Sequence, residues 1–484
     1  MPQSKKKIFS PARSDMKAGI LFVCAAIAVR GASLRARRPL PSARAGRPKR
    51  RGVASGGVAS GGVASGGVAS GGEKVVAPSY GWAILHNWLY FLSLGLCIPV
   101  LPRVIASAVN EDGSPRVSAA SARVGGDVEG VDKLLTFLFV GTLGALSDTV
   151  GRTPLIALSA LGYLATILVQ ARATRVWHFF LADSVDGLTS CMNAVCGAYV
   201  ADATAAEGGA AQAAALGLFQ GLSTGGAFCV GFPLAGVLSK RGRIRRPMYV
   251  AAALQGLNAV LALLATPEST TARSRAAKRG GLDRADCNPV TSLGKLDFFA
   301  RGKRTRLRGA ALAFGLVWLG NLALNATFVN FVNAKFGWGP QQSGPLLVLV
   351  GLMLAVVPRL VVPKLGVDRA IKAGCLVYAL GFVLAATAKT GTGFVASIAV
   401  CGVGCVAVPA LTALVASQAP SDDRGAVLGG LQTLQELVSA AGYPLYGRLL
   451  ASGLKPHSKL GPGAPFFSAA AFLVLAALAA QVSL

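Results

Sequence analysis

Gly144-Ala145-Leu146-Ser147-Asp148-Thr149-Val150-Gly151-Arg152-Thr153-Pro154-Leu155 stands between two apolar stretches, and its reading decides the fold. Asp148 and Arg152 face each other across a very short turn. Gly151 can supply a positive φ for that turn, at no steric cost. Pro154 suits the first turn of a helix, where its missing N–H removes no bond. Gly144, one turn before Asp148, lets the incoming helix approach a neighbour closely. An acid and an arginine at the junction of two apolar helices predict an ion pair at a membrane surface.

The chain around this loop has the composition of a membrane protein. Apolar residues make up 53% of its 484 positions, and Asp, Glu, Lys and Arg only 14%, against about 25% in a soluble domain. The mean hydropathy is +0.56. The apolar residues fall in blocks of about twenty, long enough to cross a hydrocarbon layer of about 30 Å as helix. Twelve blocks are expected, at 80–103, 127–147, 154–171, 176–203, 211–239, 247–266, 309–333, 344–363, 370–388, 391–417, 425–451 and 465–483. The second is the least apolar, because Asp127, Glu129, Asp132 and Lys133 fill its outer turns. Gly231, Pro233 and Gly236 in the fifth block are echoed by Gly442, Pro444 and Gly447 in the eleventh. Small residues permit close helix contact, and a proline bends a helix by removing a backbone bond. The expected fold is all-α. It is a polytopic membrane protein of twelve transmembrane helices in two six-helix pseudo-symmetric bundles, 80–267 and 309–484, joined by a basic linker at 268–308.

The formal charge of +28 does not imply nucleic-acid binding. Residues 1–72 carry 14 Lys/Arg against Asp15, and residues 268–308 carry eleven against four acids. Neither segment has the patterned apolar residues of a folded reading head. The nine cysteines and three histidines form no CxxC and no cluster, so no metal and no cofactor is expected. Before the first span, a basic start and the apolar run Ala18–Val29 read as a signal core, and Leu34–Arg51 is Arg-rich without acids. This tandem resembles a bipartite plastid presequence, which would direct the chain to a plastid envelope or an endomembrane. A basic disordered tail behind a weak signal anchor is the plainer reading. Four Val-Ala-Ser-Gly-Gly repeats at 53–72 then form a Gly/Ser linker.

The loop at 144–155 resembles the signature loop of the major facilitator superfamily. The likeness extends through Pro99-Val100-Leu101-Pro102, Gly197-Ala198-Tyr199-Val200-Ala201-Asp202-Ala203-Thr204, Thr266-Pro267-Glu268-Ser269 and Asn288-Pro289. Together these segments look like the tetracycline/proton antiporter branch and its hippocampus-abundant-transcript-like relatives. The resemblance implies that Asp148, Arg152 and Asp202 form a cytoplasmic charge cluster. It also implies that the loop carboxylate sits at the N-terminus of the eleventh helix, whose dipole favours negative charge, and latches one transport state. The side of the 268–308 linker is accordingly the inner side. Three departures stand out. The branch carries intramembrane carboxylates on helices one, three and nine, where this chain has Tyr90, Thr166 and Tyr378. Asp183 replaces an arginine of the fourth helix, and Pro233 comes one position late in the fifth-helix motif. These residues give tetracycline export no support.

Ionisable and polar groups inside a bilayer are costly and mark candidate sites. Glu436 lies twelve residues into the eleventh span, roughly 18 Å along it, with Gln432 and Gln435 nearby. Asn321 and Asn325 share a face of the seventh span, and His86, Asn87 and Tyr90 one of the first. Asp183 and Asp186, three residues apart, are candidates for cation binding or for an outer vestibule. For Glu436 and the asparagines, bonding between helices is an equally good account, and for the aspartates plain solvation is. His86, near the inner end, reads as an interfacial histidine. The expected function is secondary transport of a small organic solute by alternating access in the lipid bilayer, by a monomer, with the proton as candidate coupling ion. A non-transporting sensor or scaffold and an uncoupled facilitator are the rivals on the same fold. No HExxH, GxSxG or Walker pattern supports an enzyme.

Overall fold

The computed structural model describes residues 78–205, 209–270, 275, 288–297, 305–418 and 424–483, so the presequence reading and the glycine repeats lie outside it. The first span is Tyr80–Cys97 with Leu101–Val109, bent by 45° between them, where Pro99 interrupts the bonding ladder. The second and third are Ala119–Val150 and Arg152–Ala171. The fourth is broken into Val176–Thr189 and Met192–Ala203. The fifth runs Gly209–Phe219, a π turn at Gln220–Gly226, and Ala227–Leu238; the sixth is Arg246–Leu264. A short helix, Pro289–Gly294, lies in the linker. The second half follows with Thr305–Phe336, Pro340–Leu365, Val367–Thr387, Gly391–Gly404 with Ala407–Gln418, Arg424–Gly453 and Ala464–Ser483. Eight helices among the described residues are long and apolar enough to cross a membrane, and nine if the bent pair counts as one. The broken fourth span, the eighth and the polar eleventh are not among these nine and are recognised by their order in the fold.

Two apolar cores separate the halves. One gathers Leu96, Ile156, Tyr199, Phe219 and Met248. The other gathers Phe314, Phe331, Phe382, Phe394 and Phe466, and Ala122 and Phe137 of the second span reach into it. Neutral hydrogen bonds tie the first bundle together. His86 is fully buried, with Nδ1 2.6 Å from Asn258 Oδ1 and Nε2 2.7 Å from Thr266 Oγ1. It is therefore a brace between the first and sixth spans, not an interfacial group. Asn87 donates to Ser223 Oγ at 2.8 Å and to Asn193 Oδ1 at 3.2 Å.

The second span departs from the expected boundary. It starts at Ala119, because Ser118 and Ser121 form a reciprocal cap. Asp127, Glu129, Asp132 and Lys133 are therefore interior positions of a 32-residue helix and not its outer turns. The pattern of apolar residues missed this because these side chains face protein rather than lipid.

The paired small-residue motifs make equivalent contacts in the two halves. Within each bundle, Gly231 rests on Gly95 of the first span, and Gly442 on Leu319 and Leu322 of the seventh. Between bundles, Gly236 rests on Pro340 and Gln341 of the eighth span, and Gly447 on Gly126 of the second. Pro233 and Pro444 lie inside continuous helices. A Cβ on Gly126 would stand 2.6 Å from Tyr443 O and 2.9 Å from Gly447 Cα, so any side chain there must push the helices apart. Gly447→Leu should separate the outer ends of the second and eleventh spans. Spin labels on those ends should show a longer distance distribution than in the unsubstituted protein, and an unchanged distribution would refute the contact.

Candidate functional site

At the inner end, the short turn between the second and third spans builds a charge cluster. Gly151 has φ 121°, a value side chains rarely adopt. Its hydrogen also faces the Glu268 carboxylate so closely that a Cβ would collide with it. The Arg152 guanidinium reaches Asp148 Oδ1 at 2.6 Å, Asp202 Oδ2 at 3.0 Å and Ser147 Oγ at 2.5 Å. The structure thus brings Asp148, Gly151, Arg152 and Asp202 together. Ser269 adds a hydrogen bond to Asp202 at 3.0 Å. Gly144 is different, since among the described residues no atom lies within 4 Å of where its Cβ would stand. The close approach expected there is not made. Residues 419–423, which lead into the eleventh span, are outside the described ones.

Glu268 completes the cluster, and the sequence reading did not single it out. Its carboxylate accepts from the N–H groups of Arg152 (2.8 Å) and Thr153 (3.1 Å) and from the Thr153 hydroxyl (2.5 Å). It therefore caps the N-terminus of the third span, where unpaired N–H groups and the helix dipole favour an anion. The Thr-Pro-Glu-Ser run at 266–269 was the available signal. Burial pushes this carboxyl up, but hydrogen bonds from Thr153, Arg152 and Thr270 outweigh burial and hold it below the ordinary 4.5.

Midway along the second span lies a second charged group. The Lys133 ammonium is 2.6 Å from Asp132 Oδ2 and 3.6 Å from Glu129 Oε1. Glu129 and Lys133 are about one-third and one-quarter exposed, whereas Asp132 is 4% exposed. Gly187 of the fourth span packs on Asp132, which brings the neighbouring Asp186 to this site. Asp183 is buried and accepts from Gln170 Nε2 at 2.6 Å. The solvated outer vestibule expected for Asp183 is thus replaced by a buried bond to the third span. The charge of Glu436, across on the eleventh span, also bears on Lys133. Toward the outer end, Arg448 of the eleventh span pairs with Asp127 of the second at 2.7 Å.

The remaining candidates divide. Tyr90 is buried against Tyr163, ring centroids 4.9 Å apart. Thr166 donates to backbone oxygens of Gly162 and Ala182. Tyr378 donates to Asn321 Oδ1 at 2.7 Å. The three positions where antiporters of the resembled branch carry acids are thus filled by neutral hydroxyls. Asn325 and Gln432 are exposed, and Gln435 is half-buried.

Comparison with known proteins places this architecture. The family model of the Major Facilitator Superfamily matches residues 85–443. The chain belongs to that superfamily and is a multi-pass membrane transporter. It is 30% identical over 355 residues to the class C tetracycline resistance protein of Escherichia coli, covering 72% of this chain and 84% of that one. It is 27% identical over 331 residues to the human (Homo sapiens) hippocampus abundant transcript 1 protein, covering 66% and 64%. Among solved structures, the human organic anion transporter MFSD10 (TETRAN) superposes with a TM-score of 0.60 at 21% identity, over 83% of this chain and 98% of the other. At that identity the likeness shows the fold.

Glu268 has a signed pH consequence. A carboxyl held low in the folded state contributes its full stability above its unfolded value. That contribution is lost as pH falls through the lower, folded value. At pH 7 Glu268→Gln should therefore melt earlier in detergent, by about 1–2 kcal/mol as for a lost helix cap. The gap from the unsubstituted protein should close only below about pH 4. An equal gap at all pH values would refute the anionic cap.

Proposed function

We propose that the chain is a secondary transporter of a small organic solute, working by alternating access as a monomer, with the proton as its coupling ion. One observation carries the reading. The second and eleventh spans touch at their outer ends through Gly126 and Gly447. Near their inner ends the two spans do not touch through glycine: Gly144 of the second meets no described atom within 4 Å of a Cβ position, and Gly430 of the eleventh rests on Ser292 and Leu296 of the linker. Glu129, Lys133 and Glu436 lie between these levels. This asymmetry supports reading the chain as a carrier closed outside and parted inside, with a polar site halfway. The Asp148–Arg152–Asp202 cluster is then the part that meets the other bundle when the inner side closes.

The charge balance suggests the solute class. Asp132 and Glu129 pair with Lys133, the charges of Asp186 and Glu436 bear on it, and Asp183 lies behind them bonded to Gln170. Such a site repels an organic anion and accepts a neutral or cationic solute. Glu436 is its wall on the second bundle.

Flux into proteoliposomes, measured with a panel of neutral, cationic and anionic organic solutes, tests this reading. Neutral or cationic members should be carried. Asp148→Asn should lower the maximal rate by about tenfold or more, the effect of losing a charged hydrogen bond of about 1.5–3 kcal/mol from one of two states. Glu436→Gln should instead raise the half-saturating concentration. Transport of no panel member, or of anions alone, would refute the reading.

A further inference from the structure

The second and fourth spans hold more negative charge than their surroundings can neutralise. Asp132 packs on the fourth span at Gly187, the residue after Asp186, where the missing side chain lets the helices approach. A Cβ on Gly187 would stand 2.6 Å from the Asp132 backbone oxygen and 3.2 Å from Asp132 Oδ1. Asp132 is 4% exposed. Its Oδ2 bonds Lys133, and its Oδ1 points at the fourth span with no hydrogen-bond partner. Asp186 Oδ1 is likewise buried and unpartnered. Two unsatisfied carboxylate oxygens facing one interface are costly if both groups are ionised. A proton placed on one of them removes a buried charge and with it most of that cost.

The groups around the pair make this the cheaper arrangement. From the second span come Glu129 and Lys133, and from the fourth Asp183, which Gln170 of the third span satisfies. From the first span Tyr90 and Cys97 face it, and from the third Tyr163. From the eleventh come Glu436 and Tyr443. The tyrosines and the cysteine are neutral near pH 7. Lys133 is thus one positive charge among five carboxyls. Like charges this close, inside a membrane protein, do not all ionise.

We propose that Asp132 and Asp186 share a bound proton, forming a proton site on the second and fourth spans with Lys133 as its counter-charge and Glu129 as its exit to the cavity. When the site discharges, the O–H bond of one carboxyl breaks and the proton passes to water in the cavity. The carboxylate left behind is held by Lys133. The site deepens the carrier reading by naming where its coupling proton rides, yet its existence is measurable without any flux.

The test is infrared difference spectroscopy against pH on the purified full chain in liposomes, in sodium, potassium or choline buffers. A carboxylic-acid C=O band should disappear as pH rises. Asp132→Asn and Asp186→Asn should each remove that band or move its midpoint down by about one pH unit, a tenfold weaker hold. Glu436→Gln should leave it in place. Lys133→Gln, which removes the counter-charge, should move the midpoint up. Circular dichroism and size exclusion establish that each variant is folded. A band unchanged in both aspartate variants overturns the proposal. So does a band lost only with Glu436, which would place the proton there. A midpoint that follows sodium but not choline would also overturn it, since the site would then hold a metal cation. Loss of solute flux with the band intact would instead sink the carrier reading and leave the proton site standing.

Discussion

Charge inside a bilayer must be matched nearby, and in this chain one helix does most of the matching. The second span carries Asp127, paired with Arg448 near its outer end. It carries Asp132 and Lys133, paired with each other at mid-depth. It ends in Asp148, paired with Arg152 at the inner surface. These levels involve the eleventh, fourth and third spans in turn. An isolated charge at mid-depth would cost several kcal/mol. The position of the second span is therefore fixed by its partners, and the geometry of the outer contact and of the inner cluster follows from it.

The two halves share a fold but not a chemistry. The first bundle is braced by polar side chains, including His86, Asn87 and Asn258, and holds the acidic centre. The second is packed on phenylalanines, with Phe331 and Phe466 ring centroids 4.8 Å apart. Its polar side chains are mostly used internally: Trp318 donates to Ser439, and Tyr446 to the Leu319 carbonyl. Pseudo-symmetry thus governs backbone contact, while the charged groups belong mainly to one side.

Much of this was legible in the sequence, and the exceptions have physical causes. Twelve apolar blocks gave the helices in order, because lipid demands about twenty apolar residues per crossing. Asp148, Gly151 and Arg152 were legible because the turn is local. Glu268 was not, since it reaches Arg152 from 116 positions away. The acidic centre was hidden for a different reason. Hydropathy counts Glu129, Asp132 and Lys133 against a span, although they face other helices, so the second span was read too short. Gly144 shows the converse. Its small size suggested a close approach, yet among the described residues nothing stands against it.

The glycine contact between Gly126 and Gly447 has a thermodynamic side. Most protein surfaces that meet must freeze side chains, at about 0.5–2 kcal/mol of rotamer entropy for each long one. These two residues have no rotamers to lose. Their meeting carries no ordering penalty, and their parting releases no disorder to compensate for lost contact. Around them the helices also pack, Gly130 on Pro444 and Gly447 on Ala122, and Arg448 and Asp127 add an ion pair. Arg448 is about half exposed, so that attraction is screened by dissolved ions. Ionic strength is then the natural variable governing the strength of that pair.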